Sequence, residues 1–471
     1  MQETEQQQPL TKDVTTLFTR LKQQTIVEPY PSLEQRRIWL QRLKTALLSE
    51  QAALVEALNQ DYGYRSRFDS TVCDLLPAVS HINYTLKHLK SWTKSQSRHA
   101  GWLLLPSTVS VHYQPLGLVG VIVPWNFPIV LSMAPLVTAL AAGNRAMVKL
   151  SEHTPCTNQV LMRIFATVDE AVDTVEGGAD VAAQFSALPF DHLLFTGSTP
   201  VGKLVAQAAA TNLTPVTLEL GGKSPVIIAP DADLARSVDN IMLGKAINAG
   251  QICVAPDYVL LPEGKQQAFV ELYLQRFKRY FSTKDGYDTS HIINQTQFDR
   301  LQQYLDDAKQ KGATLHPVEG DAKAGTYQFL PCLVTNVKVD MLLSKHEIFG
   351  PILPILSYHS LDEAIAYINA RPRPLALYLM SDDHELIKQV STQTHSGGLA
   401  VNDTLLHVAA DDAPFGGIGD SGVGHYHGIE GFKTFSHAKT VLFSKRWLPR
   451  SQWMLRYRLV MLAIMRRLFI R

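Results

Sequence analysis

Between Gly117 and Gly202 the chain alternates short apolar strands with helices, and few folds accommodate that pattern. Leu118-Val119-Gly120-Val121-Ile122-Val123 carries no polar side chain, so both faces of this strand must be covered. An apolar helix over residues 129–142 follows, then a strand over 144–150, and later a strand that ends at Gly197. This alternation calls for a parallel sheet with crossover helices, the plan of an α/β, Rossmann-like dinucleotide-binding fold. Ligands of such sheets sit outside the carboxyl ends of the strands. The residues that follow each strand are therefore the ones to read.

The first strand runs into Pro124-Trp125-Asn126-Phe127-Pro128. Two prolines hold this segment rigid and non-helical, so the Asn126 amide is aimed at a fixed point. The strand over 144–150 carries Lys149 at its carboxyl end, facing the ligand crevice, and is followed by Ser151-Glu152-His153-Thr154-Pro155. Ser151 suits a helix N-cap there, and Pro155 an early helical position. The third strand gives way to Gly197-Ser198-Thr199-Pro200-Val201-Gly202, in which backbone N–H groups and a hydroxyl meet at a helix N-terminus. That is a natural pyrophosphate seat, although the spacing is not the usual GxGxxG. A further apolar strand, Val216-Thr217-Leu218-Glu219-Leu220, ends at Gly221-Gly222-Lys223 with Glu219 inside it. A carboxylate in a buried strand is costly unless paired or used.

Downstream lies Asn248-Ala249-Gly250-Gln251-Ile252-Cys253-Val254-Ala255-Pro256. Most free cysteines are small buried hydrophobes, and Cys253 alone would be read that way. With Glu219 and Asn126 the reading changes. A nucleophile, a carboxylate base and a preorganised amide donor compose an acyl-transfer site.

These motifs, in this order and with this separation between Glu219 and Cys253, resemble the NAD(P)-dependent aldehyde dehydrogenase superfamily over most of the chain. The run Gly422-Val423-Gly424-His425-Tyr426-His427-Gly428 resembles its class 3 branch, and within that branch the bacterial coniferyl aldehyde dehydrogenase type. The resemblance implies a Rossmann-like cofactor domain (residues 1–97 and 117–219) and an α/β catalytic domain (220–412). It also implies a β-arm for oligomerisation (98–116 and 425–446), in which 439–444 would pair with the 101–115 segment. The implied reaction is oxidation of an aldehyde to the acid through a thiohemiacetal and thioester on Cys253, with NAD, or NADP, as cofactor. Cofactor contacts would come from Trp125, Lys149, Glu152, Gly197, Ser198, Gly202, Glu347 and Phe349. Lys149 would hold the adenosine ribose, Glu152 its 2′-hydroxyl, Glu347 the nicotinamide ribose, and Phe349 would flank the ring. The substrate is a small aldehyde, aromatic or medium- to long-chain, and the assembly a homodimer. Two rivals remain: a CoA-acylating or reductase relative, against which Glu219 argues, and a non-enzymatic membrane-associated protein. Asn402 is expected to support the thiol loop.

Other features bound the reading. At 471 residues and 46% hydrophobic content, two or three real cores can be built. Cys73, Cys156, Cys253 and Cys332 show neither CxxC nor framework spacing, which points to a reducing compartment, the cytoplasm, and away from structural zinc. Residues 1–13 are rich in Gln and Thr and contain no apolar leader, so no signal peptide is expected. The net charge of +1 conceals an asymmetry: residues 445–471 carry eight basic and no acidic side chains, leaving 36 basic against 43 acidic elsewhere. That is no nucleic-acid-binding profile. The tail over 447–471 mixes Arg with Trp, Leu and Phe, as in a basic amphipathic helix. Such a helix suits either the surface of the inner membrane or packing on a partner subunit or over the substrate funnel. Arg65 and Arg67 are expected in a solvated or partner-facing loop. His425 and His427, without ligand partners at metal spacing, read as neutral turn histidines and no metal site is expected. Gly417-Ile418-Gly419-Asp420-Ser421-Gly422 satisfies GxGxxG but lacks a following βαβ unit, and is read as a loop closing the site.

Overall fold

The computed structural model describes residues 13–284, 286–320 and 322–470. The glutamine-rich start and Arg471 lie outside the described residues. Four long helices come first, Val14–Val27, Leu33–Ser49, Gln51–Tyr62 and Leu76–Trp92. Asp13 and Ser32 cap the first two, each accepting N–H bonds from the opening turn, which satisfies donors that have no partner within the helix.

A six-stranded sheet follows, in the order Gly422–Val423, Val216–Leu220, His192–Gly197, Leu118–Ile122, Arg145–Lys149, Val172–Val175. All neighbours are parallel except the edge strand Gly422–Val423. Chain order reverses between Leu118–Ile122 and His192–Gly197, whose following loops therefore part and leave a crevice at their carboxyl ends. Val119, Val121, Ala146, Val148 and Leu194 are buried with Leu136 and Leu140 of the Pro128–Ala141 helix and with Trp39, Leu43 and Ile82 of the N-terminal helices. Each buried Leu or Val contributes about 1.5–3 kcal/mol, so the site's scaffold is set by packing.

A second, seven-stranded sheet has the order Thr314–Pro317, Cys332–Thr335, Ile352–Tyr358, Tyr258–Pro262, Pro225–Ile228, Ala376–Met380, Gly398–Val401. It is parallel apart from its first strand. The two sheets are joined by the short turn between Leu220 and Pro225. Thr108–Pro115 pairs antiparallel with Ser436–Phe443 along its full length, with Lys439 opposite His112, and Gln96–Arg98 flanks it. The tail forms two helices, Arg450–Arg456 and Arg458–Phe469, with no buried residue in either. Arg450 ties its start to the arm by donating to the Leu104 and Leu105 carbonyls at 2.7 and 2.9 Å. No helix among the described residues is long and apolar enough to cross a membrane.

Three expectations are corrected. Arg65 is not solvated but 1% exposed, with a guanidinium N–H donated to the Asn126 carbonyl at 2.8 Å; only Arg67 lies at the surface. The reason is that the Asn126 carbonyl and the buried Asp74 carboxylate both call for a cationic donor inside. The helix after Lys149 starts at Pro155 with Thr154 as N-cap, while the Ser151 hydroxyl accepts the His153 N–H at 3.3 Å. Ser151 thus closes a turn of its own. Asn402 does not support the thiol loop: its side chain binds Ser381 and Asp382. That loop is held instead by the Tyr378 hydroxyl, which donates to the Val254 carbonyl at 2.6 Å.

Candidate active site

The crevice at the strand reversal opens into a cleft of about 1210 Å³. Trp125, Asn126, Gly197, Ser198, Glu219, Cys253, Glu347 and Phe349 all line it. Motifs spread over more than two hundred positions of the chain thus meet at one cleft. Lys149, Glu152 and Gly202 do not line it. Lys149 and Glu152 pair with each other at 2.8 Å just beyond, while His153 of the same turn reaches the lining. Gly202 lies in the first turn of Thr199–Ala210, where a Cβ would come within 2.6 Å of Leu220. Its part is close helix-to-strand packing.

The approach to Cys253 is strained. Asn248, Ala249 and Gly250 all have positive φ, in the left-handed region. A non-glycine residue held there costs of order 1–3 kcal/mol. The surroundings over-determine this turn. Asn248 N–H donates to Asp69 at 2.9 Å, and the Asn248 amide donates to the Asn126 and Gln251 carbonyls. Gln251 reaches back to the Asn248 and His291 carbonyls, both at 3.0 Å. Gly350 O lies 2.6 Å from where a Gly250 Cβ would stand, so the close approach requires glycine.

Asn126 is gripped just as firmly. Its carbonyl accepts from the Tyr62 hydroxyl, Arg65 and Asn248. Its side-chain N–H₂ donates one hydrogen to the Gln251 carbonyl at 3.1 Å, and a second donor hydrogen remains for a ligand. Arg65 is sandwiched between the Tyr62 and Phe127 rings, at 4.8 and 4.9 Å, and lies 3.7 Å from buried Asp74.

Glu219 is buried, and neither carboxylate oxygen has a hydrogen-bond partner among the described residues. Burial alone pushes its carboxyl well above the usual range. A carboxyl so raised, once ionised, is a strong base toward a proton brought beside it. Burial, then Glu347 and Glu219, push the Cys253 thiol up to about 12, so the resting thiol is protonated. Glu347 goes up to about 8 through burial and then Asp257. Tyr426 is buried close enough to both Glu219 and Cys253 that, after burial, their charges push its phenol up further. The edge strand explains its position: Gly422 pairs with Glu219 itself, and a Cβ at Gly422 would meet Leu218 O at 2.2 Å. Burial leaves His427 neutral, at about 3.

The donor set fits a nicotinamide dinucleotide. Glu347 Oε1 is buried without a hydrogen-bond partner among the described residues, and a Cβ on Gly221 would fall 2.2 Å from Oε2, so only glycine leaves that carboxylate room. Trp125 and Phe349 meet edge to face at 5.4 Å, a favoured aromatic geometry that gives the cleft an apolar aromatic surface. Ser198 stands at the start of Thr199–Ala210 with a hydroxyl that makes no capping bond, a seat for a phosphate oxygen.

Sequence comparison agrees. The pattern described as "Aldehyde dehydrogenase family" matches residues 29–441. The chain is 48% identical over 445 residues to a Pseudomonas aeruginosa protein named "Probable coniferyl aldehyde dehydrogenase", covering 94% of this chain and 93% of that one. It is 45% identical over 431 residues to the "Coniferyl aldehyde dehydrogenase" of a Pseudomonas species, covering 90% and 89%. The solved structure "Substrate bound state of Staphylococcus Aureus AldH" superposes with a TM-score of 0.88 at 36% identity, covering 93% of this chain and 95% of that one. By sequence, fold and cleft alike, the chain belongs to the aldehyde dehydrogenase family and is an NAD(P)-dependent aldehyde dehydrogenase.

Proposed function

We propose that the chain oxidises an aromatic, coniferyl-type aldehyde to its carboxylic acid, with Cys253 as nucleophile, Asn126 as oxyanion donor and Glu219 as base. The observation that carries this is the convergence of those three residues on one cleft. The small ionised fraction of Cys253, its proton released to solvent, attacks the aldehyde carbonyl as thiolate. The new oxyanion is held by the free Asn126 donor hydrogen and the Cys253 backbone N–H, which the rigid turn aims. Bound nicotinamide supplies the hydride acceptor, and the adduct that has lost its hydride is a thioester on Cys253. Glu219 then takes a proton from water, and the resulting hydroxide releases the acid and frees the thiol. Glu347 and Phe349 would hold the ribose and ring of the cofactor, Ser198 and Gly197 its pyrophosphate, and Lys149 with Glu152, beyond the cleft lining, its adenosine ribose.

Support for an aromatic substrate comes from the relatives' names and from the apolar surroundings of Cys253, where Phe127, Leu131, Leu405, Val408 and Phe415 belong to one hydrophobic cluster. A second reading is favoured by the tail: Trp447, Leu455 and Leu459 are 72, 78 and 74% exposed among arginines. A basic helix that exposes so much apolar surface suits anionic lipid, where a fatty aldehyde would be met. The exposed Thr108–Pro115 and Ser436–Phe443 arm suits a homodimer. The test is reduction of NAD and of NADP with coniferyl aldehyde, benzaldehyde and long alkanals, with and without anionic vesicles. Higher kcat/KM for the aromatics supports the proposal. Preference for alkanals, stimulated by vesicles, supports the second reading, and silence with all of them removes both.

A further inference from the structure

Three chain segments that bear on the chemistry meet at one ion pair at the edge of the cleft, whose lining Lys223 joins. Lys223 directly follows the Gly221-Gly222 turn that ends the Glu219 strand. Asp257 lies four residues beyond Cys253. The Lys223 ammonium pairs with Asp257 and also donates to the Leu343 and His346 carbonyls at 2.8 and 2.9 Å. The other Asp257 oxygen accepts the Ile348 N–H at 2.8 Å, and the Asp257 N–H donates to the Ser224 carbonyl at 2.8 Å.

His346 and Ile348 flank Glu347. The pair thus grips the peptide groups on either side of the carboxylate that lines the cleft. The next residue, Phe349, has positive φ, a conformation that a non-glycine side chain keeps only when its neighbours enforce it. Asp257 and Lys223 are largely buried, so their charges are poorly screened and their geometry is well fixed. Lys245, also buried, adds its charge to the same cluster: burial pulls it down to about 8, and Asp257 acts against that.

We propose that Lys223 and Asp257 are positioning residues that lock the Glu347–Phe349 turn against the Cys253 loop, so that presentation of the cofactor, and not thiol attack, depends on them. This rests on the roles proposed above for Cys253, Glu347 and Phe349. Lys223 reaches the lining of the cleft and Asp257 does not, and the roles given to Cys253, Asn126 and Glu219 involve neither. Their loss lets the turn relax from its strained conformation, which withdraws the Glu347 carboxylate and the Phe349 ring while the Cys253 turn keeps its own supports, Asp69, Gln251 and Tyr378.

The test separates the two halves of the reaction. Hydrolysis of p-nitrophenyl acetate needs a thiol nucleophile, an oxyanion donor and water, but no nicotinamide. Aldehyde oxidation needs all of these and a held cofactor. In Lys223→Met, kcat/KM for NAD should fall about tenfold or more and NADH should bind correspondingly more weakly in a fluorescence titration, while ester hydrolysis stays within about threefold of wild type. Lys223→Arg, which keeps the cation and its donors, should recover most of the loss. Asp257→Asn, which retains an acceptor for Ile348, should show the same split more mildly and carries the test alone if Lys223→Met does not fold. An equal fall of ester hydrolysis and aldehyde oxidation in the folded variants, or no fall in either, overturns the proposal. Cys253→Ala identifies failure of the underlying reading: if that variant keeps both activities, the assignment of the thiol is wrong whatever the clamp does.

Discussion

Arg65 offers the sharpest test of how the site is held. The guanidinium is buried, donates to the Asn126 carbonyl at 2.8 Å and pairs with Asp74, 3.7 Å away. Asp74 has one oxygen on the Val130 N–H at 2.7 Å and the other without a hydrogen-bond partner among the described residues. Arg65→Met removes the cation and strands a buried carboxylate, which costs about 3–5 kcal/mol in comparable sites. Asp74 is pushed up to about 6 by burial, with Arg65 acting against that. Its folded pKa thus exceeds the unfolded one, so its contribution is fully present only in acid and is lost as pH rises through the folded value. Without Arg65 that value climbs, so the stability gap between wild type and Arg65→Met should widen from about pH 5 to about pH 8. Arg65→Met/Asp74→Asn removes the stranded charge and keeps the Val130 acceptor. What remains is the lost bond to Asn126, about 1–3 kcal/mol. Urea midpoints followed by tryptophan fluorescence should therefore rank wild type, then double variant, then single variant. In both variants kcat should fall about tenfold to a hundredfold, because Asn126 is held less firmly by Tyr62, Asn248 and Gln251 alone. The reasoning is refuted if the double variant is no more stable than the single one, or if it turns over at the wild-type rate.

Other expectations follow from the same geometry. Glu347, at about 8, is mostly protonated at neutral pH. Alkylation of Cys253 by iodoacetamide in Glu347→Gln should match wild type there and exceed it above about pH 8, where the wild-type carboxylate ionises and repels the thiolate. Tyr426→Phe removes a buried phenol that feels the charges of both Glu219 and Cys253. Its kcat should fall about tenfold with KM for the cofactor unchanged, read in steady-state assays. Glu152 pairs with Lys149. Glu152→Gln weakens the negative charge there and should raise kcat/KM with NADP relative to NAD, compared under identical conditions.

The sheet that builds the cleft is legible in the sequence because its strands are apolar on both faces and end at Pro, Lys or Gly, as the crevice demands. The Cys253, Glu219 and Asn126 stretches stand out because each sets a reactive or polar group against an apolar or Pro/Gly-rich context. Arg65 is not legible. Its own stretch, Tyr62-Gly63-Tyr64-Arg65, reads as a polar turn, and the carbonyl it serves lies sixty-one residues away. Lys223 and Asp257 are equally silent, since an ion pair joining two loops leaves no periodic signal. Asp257 does break an otherwise apolar run after Pro256, the one hint available. Tyr426 is hidden between two histidines whose spacing raises the question of metal first. The short Gly422–Val423 strand cannot be told from a loop, because its pairing with Glu219 is fixed by close backbone contact and not by side-chain alternation.

The most direct test of the central claim, that Cys253 carries the acyl group and Glu219 releases it, is mass spectrometry of Glu219→Gln quenched in acid during turnover with hydrocinnamaldehyde and NAD. The account predicts an acyl adduct on the peptide that contains Cys253, abundant in Glu219→Gln, sparse in wild type and absent in Cys253→Ala. An adduct on another residue, or wild-type turnover by Cys253→Ala, would contradict it.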